Sequence, residues 1–553
     1  MPDRHPPRAA GRPAGPPRAG RRPSGTAPGA RRAVGATLVT AAVLTAAFLA
    51  APPLGSDLSA QVARAGFFER HGFAPLDLGW YGGVAPPGYS LVSPPLMAWL
   101  GGGTLGPRLV GALAAAGSAL VLALILVRTA ARRPLLGGVL GAVCLFGNLV
   151  SGRVTYAVGI AFGLLAILAL TSRRRRAGPV AAVVAALLAG AASPVAGLFV
   201  GLAGVALALT DPRRRLAGAA VAAGAAVPVL GLAALFGSGG WMNISFLDTA
   251  RAAVASLAVA LLVPHRAVRA GALLSAGGVV TAYLVHTPVG LNATRLAVMF
   301  TLPLLAGYAV VPGAARLRRP LAAGALGLLL VAVALVQPPV STADLRAAGD
   351  PTASPAYFRP LLDELDRRPP GRVEVVPTGN YWEAAYVPPH APLARGWLRQ
   401  ADIAHHPLFF DGSVDTDSYG RWLRDNGVAY VALAGAPTSW VGRREAEVVR
   451  AGPPYLTPVW RGGDWTLYAV AATPSIVDGA VLVDADDRAV EIDVPAAGDA
   501  LVRVRWSRWL TVDGPAGCLT PSGDGWTLLR AAEPGRYRIT GAWRTGPTCP
   551  PRP

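Results

Sequence analysis

The sequence predicts a polytopic α-helical membrane protein of about eleven spans, with a C-terminal extracytoplasmic α/β plus β-sandwich region. Three observations predict it. Charge is almost missing between Arg32 and Gln337, where Ala, Leu, Val and Gly form apolar runs of 14 to 21 residues. The arginines of that half gather in a few short loops. After Pro338 the texture turns polar and Trp-rich and stays so to Pro553.

Residues 1–33 are Arg, Pro and Gly with few large apolar side chains. Such a segment cannot bury a core, which predicts a disordered basic tail. The run 34–52 follows directly. A basic flank and an apolar run also suit a signal peptide, but the many later spans favour a retained first helix. Ten more runs follow, at 107–127, 135–151, 153–171, 179–192, 193–209, 216–236, 250–263, 268–285, 294–311 and 320–337. The pair 179–192 and 193–209 is short for two spans. Breaking it at Ser193-Pro194 places Arg173–Arg176 and Arg213–Arg215 on one side, as the positive-inside rule asks.

With that break, 17 short-loop arginines fall on one side and six on the other. The expectation is a plasma-membrane protein with a cytoplasmic N-terminus and residues 338–553 outside. The whole chain carries a net charge of +20, and all 51 basic residues are Arg. Residues 1–337 hold 29 Arg against six acidic residues, whereas 338–553 hold 22 Arg against 25 Asp and Glu. The excess therefore lies beside lipid, as an orientation signal, and argues against a nucleic-acid partner.

The membrane part is read as 34–337, with one long outer loop at 53–106. Beyond it, 338–473 alternates helical and strand patterns: Tyr357–Arg368 helical, Arg372–Val376 strand, Tyr419–Asn426 helical, Ala429–Leu433 strand. Residues 474–553 read as a β-sandwich-like domain, from runs such as Leu501–Trp506 and Tyr537–Thr540 between Gly, Asp and Pro turns. Cys144 lies in an apolar run. Cys518 and Cys549 can pair if their domain is outside the cytoplasm, and two cysteines leave that open. No Cys/His spacing suits a metal.

Four acidic residues of the membrane half face outside: Asp57, Glu69, Asp77 and Asp248. Asp57 follows the first span by a few residues. A carboxylate there, partly screened from water, can serve as a general base with a raised pKa. Ser56 or Asp57 can equally cap the amphipathic stretch Leu58–His71, whose apolar face suits the lipid interface. The segment Trp80–Leu96 is aromatic and Pro-rich. Trp80 and Tyr81 suit either a sugar pocket or the aromatic belt, with the belt the simpler reading. Arg153 and Arg295 sit at outer ends of spans, against the orientation rule. With Arg64 they are candidates to hold a phosphate, which guanidinium grips bidentately, or merely head groups.

A first helix, an acidic residue just outside it, a long outer loop with an amphipathic helix, Pro94-Pro95-Leu96 before the second span, and an outer C-terminal domain form one pattern. To these add Tyr381–His390, Leu393–Gln400 and Tyr419–Val431. The whole resembles GT-C fold membrane glycosyltransferases, closest to actinobacterial membrane proteins of the mannosyl- and arabinosyltransferase type. The resemblance implies transfer of a sugar from a lipid-linked polyprenyl-phosphate donor to a cell-envelope acceptor, with Asp57 as base and membrane lipids around the bundle. Such enzymes show an acidic pair after the first helix. Ser56-Asp57 offers one carboxylate, so a divalent metal is possible but not assigned. A transporter and a non-catalytic glycan-binding scaffold are the alternatives. Against a transporter stand the odd span count and a membrane interior without a coupling carboxylate.

Overall fold

A computed structural model describes residues 27–172, 176–237, 239–310, 319–544, 546 and 549. Each apolar run named above contains a helix among the described residues. Helix α1 is Ala27–Ala50, and the run 179–209 is two helices, Ala177–Ala192 and Pro194–Thr210. The break falls at Ser193, whose side chain accepts from the Ala196 amide, with Pro194 next. Proline has no N–H to offer and fits the first turn. Among the described residues, four helices are long and apolar enough to cross a membrane: Pro28–Ala50, Leu105–Arg128, Pro212–Phe236 and Arg266–Leu284. Five shorter apolar helices pack with them, including Pro134–Val150 and Val154–Leu170. Leu216, Leu284 and Leu335 are each more than 70% exposed, as side chains that face lipid would be.

Helix α1 begins at Ala27, inside the stretch expected to be disordered. Arginine is a good helix former, so Arg31 and Arg32 extend the helix beyond its apolar run. The rest of that stretch, residues 1–26, lies outside the described residues, as do Arg173–Arg175, Arg316 and Arg318.

The C-terminal region, expected to lie outside the membrane and called the outer region for that reason, has two parts. The first holds a four-stranded sheet in the order β1-β2-β4-β3, from β1 (Arg372–Val375), β2 (Val428–Ala434), β3 (Leu456–Gly462) and β4 (Trp465–Val470). Strands β1 and β2 run parallel, and the other pairs are antiparallel. Every residue of β2 is buried, because helices cover the sheet. These include Pro355–Leu365, Arg399–His405, Thr416–Asp425 and Arg443–Arg450.

The second part is two packed four-stranded sheets. One is β10 (Gly517–Pro521), β11 (Trp526–Ala531), β8 (Gly498–Arg505) and β5 (Val477–Asp478). The other is β6 (Val481–Ala485), β7 (Ala489–Val494), β12 (Gly535–Gly541) and β9 (Leu510–Asp513). Val502, Val504, Ile492 and Ile539 alternate inward to make its core. Cys518 and Cys549 are bridged, with Cα atoms 5.1 Å apart, and Cys144 is free and buried.

Helix α2 is Leu58–His71. Its apolar face does not meet lipid: Leu58, Ala60 and Val62 are buried in one cluster with Trp382, Ala384 and Tyr430 of the outer region. The loop after α2 enters the same cluster through Trp80 and Tyr81, 2% and 1% exposed. This corrects both readings of that pair. The indole of Trp80 donates to the Ala384 carbonyl (3.0 Å) and the Tyr81 hydroxyl to the Leu398 carbonyl (3.1 Å). Their polar atoms are satisfied within the protein, which leaves them neither a belt nor a sugar surface.

Candidate active site: one carboxylate among arginines

The loop from α1 to α2 meets the loop between helices Pro134–Val150 and Val154–Leu170 at a backbone contact. Gly55 has φ +92°, and a Cβ there would lie 2.2 Å from the Ser151 carbonyl carbon. Gly152 has φ +75°, and its Cβ would lie 2.3 Å from the Leu58 nitrogen. Only glycine tolerates both the dihedral and the approach. The Asp57 amide then donates to the Ser151 carbonyl (3.1 Å).

Other elements brace the same turn. Asp344 accepts from the Ser56 amide (3.3 Å) and the Ser151 hydroxyl (2.7 Å). The indole of Trp397 donates to the Ser56 carbonyl (2.8 Å), and Ser59 to the Asn380 carbonyl (2.8 Å). Thr155 donates to Gln61 (2.6 Å). The turn is thus held jointly by membrane helices and the outer region.

Asp57 occupies the N-cap position of α2, but its side chain caps nothing. Its carboxylate faces two arginines instead: Oδ2 lies 3.4 Å from Arg153 Nε and 3.5 Å from Arg295 Nη2. The capping alternative therefore fails for the side chain. Arg153 enters from the turn before Val154–Leu170 and Arg295 from the first residue of Arg295–Tyr308. The Arg295 guanidinium lies 5.4 Å from the Tyr156 ring centroid. Asp57 is 15% exposed, Arg295 18% and Arg153 30%, so the group borders solvent without being open to it.

Arg64, one face of α2 further on, is buried. Its guanidinium stacks 3.4 Å from the Tyr89 ring centroid and 5.3 Å from that of Trp397. Both terminal nitrogens lack a hydrogen-bond partner among the described residues, and Nε of Arg153 has only its 3.4 Å ion pair with Asp57. Burial holds the Arg64 guanidinium below its ordinary pKa, and Tyr89 first, with Asp77 and Asp57 after it, only partly offsets this. Two guanidiniums thus pair with one carboxylate, and a third, buried on Arg64 within electrostatic reach of it, has N–H donors to spare. Such a site calls for an anion.

The residues do not fit a metal. Among those described, no group of three His, Cys, Asp or Glu is assembled, and two arginines already take the Asp57 carboxylate. Asp77 points elsewhere: its Oδ1 accepts from the Gly79 amide (2.8 Å), and it is buried beside Asp487 of the β-sandwich. Tyr89, Tyr156 and Trp397 line the group but were not singled out in the sequence. Only their nearness to arginine in space marks them, and no sequence spacing carries that signal.

Residues 478–552 match the model of a domain of unknown function, DUF8823, which covers the β-sandwich alone. No curated protein matches. By structure, the chain is similar to the arabinofuranosyltransferase AftD from Mycobacteria, at 16% identity and a TM-score of 0.43, over 85% of this chain and 41% of that one. A mutant form of AftD is similar at 14% identity and a TM-score of 0.42, over 93% of this chain and 60% of that one. The chain thus spans less than two thirds of either.

Proposed function

We propose that the chain is a membrane glycosyltransferase that moves a sugar from a polyprenyl-phosphate donor to an extracytoplasmic cell-envelope acceptor. The single observation that carries this reading is the arginine excess at the site: two guanidiniums paired with one carboxylate, and a third, that of Arg64, buried within electrostatic reach of it with both terminal nitrogens unpartnered among the described residues. A phosphate supplies the missing acceptors, and an activated sugar carried on a lipid phosphate can reach such a site from the bilayer. A transporter reading explains neither the excess donors nor the lone carboxylate near them.

In the reaction the acceptor hydroxyl attacks the anomeric carbon. Asp57 takes the hydroxyl proton, the bond from that carbon to the phosphate oxygen breaks, and the lipid phosphate leaves. Arg153, Arg295 and Arg64 stabilise the charge that develops on the leaving oxygen. The 3.4 and 3.5 Å contacts are ion pairs longer than a strong charge-assisted bond. An arriving phosphate competes for both arginines and leaves Asp57 free to accept a proton.

The test is transfer by purified full-length protein from a panel of radiolabelled prenyl-phosphate sugars. Asp57→Asn keeps the size and shape of the side chain, so membrane insertion and thermal unfolding should not move. Transfer should fall by about 10²–10⁴-fold, the usual worth of a general base. Turnover equal to wild type would remove Asp57 as the base. Arg153→Ala should lower kcat as well as raise KM for the donor, because it removes charge stabilisation that grows in the transition state.

A further inference from the structure

A second excess of buried donors lies in the outer region, away from Asp57. Arg372 opens β1 and is 2% exposed. Its Nη1 donates to the Asn426 carbonyl (2.6 Å) and Nη2 to the Arg503 carbonyl (2.5 Å), which ties the α/β part to β8. Its Nε has no partner among the described residues. Arg505 of β8 stacks 3.7 Å from the Trp526 ring centroid, and Arg372 lies 5.7 Å from the same ring. Arg505 is largely buried, and the described residues give its guanidinium neither a hydrogen bond nor an ion pair.

His406 adds a third donor. It is 1% exposed, and its Nδ1 accepts from the Trp422 indole (2.8 Å). A neutral ring with Nδ1 accepting carries its proton on Nε2, and that atom too is without a partner. Arg372 and Arg505 both act electrostatically on this ring. The first outer loop closes the seam: Gly82 has φ +76°, and its carbonyl accepts from the Arg505 amide (2.7 Å).

Like charges buried side by side oppose folding unless something answers them. Burial and the neighbouring arginines push Arg372 down to about 9, and burial pushes Arg505 down to about 10. His405, beside them, is held at about 4. The nearest acidic influence on Arg505 is Asp524, which offsets only part of the effect of burial. Arg503 is fully engaged with Asp478 and with the Asp425 and Ser475 carbonyls, and answers nothing here.

We infer that this seam is an oxyanion site, in which a phosphate or carboxylate group bonded to Arg372, Arg505 and His406 locks the α/β part, the β-sandwich and the Gly82 loop together. The ligand class follows from the donors: two guanidiniums that flank the Trp526 ring, and an imidazole N–H on whose ring both act, take a small oxyanion with several lone pairs. The site is independent of the Asp57 group and stands whether or not the chain transfers a sugar.

The experiment uses the full chain in a neutral detergent and inorganic phosphate as the probe, against chloride at equal ionic strength. Phosphate well above its dissociation constant should raise the unfolding temperature by roughly 3–5 °C. Arg505→Gln should lose most of that rise, keeping only what phosphate at the Asp57 group contributes. Arg505 reaches the surface, so the variant should fold, and Trp526 fluorescence in an Arg505→Lys protein gives a second reading of occupancy. Arg153→Gln should keep the part of the rise that Arg505→Gln loses, which separates this site from the one at Asp57. Free glucuronate and vesicles of anionic phospholipid, added in place of phosphate, tell a glycan carboxylate from a lipid head group by which reproduces the rise. No rise with phosphate, an equal rise in Arg505→Gln, or its loss only in Arg153→Gln would each overturn the inference.

Discussion

Burial decides which single charges matter in this molecule. Asp77 is the clearest case: burial first and the nearby Asp487 second raise its carboxyl to about 7. A carboxyl that binds its proton more tightly when folded stabilises the fold at low pH. That contribution is lost as pH rises from the ordinary Asp range to about 7. At about 1.4 kcal/mol per unit, the loss comes to about 4 kcal/mol by pH 8. Asp77→Asn keeps an oxygen for the Gly79 amide and removes the charge. It should therefore flatten the unfolding temperature between pH 4 and 7 and raise it at pH 8. Unfolding curves in that series, identical in slope to wild type, would refute the assignment. Arg395 is the opposite case. It joins Asp402 (2.8 Å) and Glu445 (2.9 Å) with Glu374 at 3.7 Å, all buried. Arg395→Leu strands those carboxylates and should cost about 3–5 kcal/mol, measured as a drop in denaturation midpoint of the outer region.

Among the elements, α2 shows what the sequence could and could not tell. Its apolar spacing and a good cap position define Leu58–His71, and those are its bounds. The pattern was silent on what covers that face, because outer-domain side chains and lipid tails are equally apolar. Trp80 and Tyr81 were misjudged for the same reason. Arg153 and Arg295 were legible because they break the orientation rule, whereas Gly55 and Gly152 were not. With 66 glycines in the chain, nothing local marks the two whose backbones touch. Strands of the outer region were legible from period-two alternation, but their pairing across three sheets needed contacts far apart in sequence. The Cys518–Cys549 bridge staples β10 to the end of the chain, closing a separation of 31 residues. Loop closure of that length is worth about 3–4 kcal/mol in the unfolded chain. Cys518→Ser with Cys549→Ser should lower the stability of the β-sandwich by roughly that amount, seen as earlier proteolysis of 474–544. Sugar transfer at 25 °C should not change, because no site residue leans on β10.

At the scale of the whole molecule, two kinds of charge sit at opposite ends of the helix bundle. At one end Arg128 reaches Thr171 (3.4 Å), Arg214 the Leu170 carbonyl (3.3 Å) and Arg133 the Ala309 carbonyl (3.1 Å). At the other, the outer region touches the helix ends: Arg508 donates to the Leu235 carbonyl (2.9 Å), Trp543 to the Phe73 carbonyl and Trp397 to that of Ser56. Asp57 lies at this second end, under the outer region. Short loops rich in arginine stay in the cytosol, so the second end should face out. The cysteines permit a direct test, since Cys144 is buried and the other two are bridged. Ser413→Cys places an exposed thiol on the outer region, and Arg213→Cys places one in an arginine-rich loop. On intact cells a membrane-impermeant maleimide should label the first and reach the second only after the membrane is opened. The reverse pattern would put the Asp57 site in the cytosol, where nucleotide-linked sugars are at hand and a lipid-phosphate donor loses its rationale. The arginine excess would then need another anion, and the base assignment would have to be rebuilt from a different substrate.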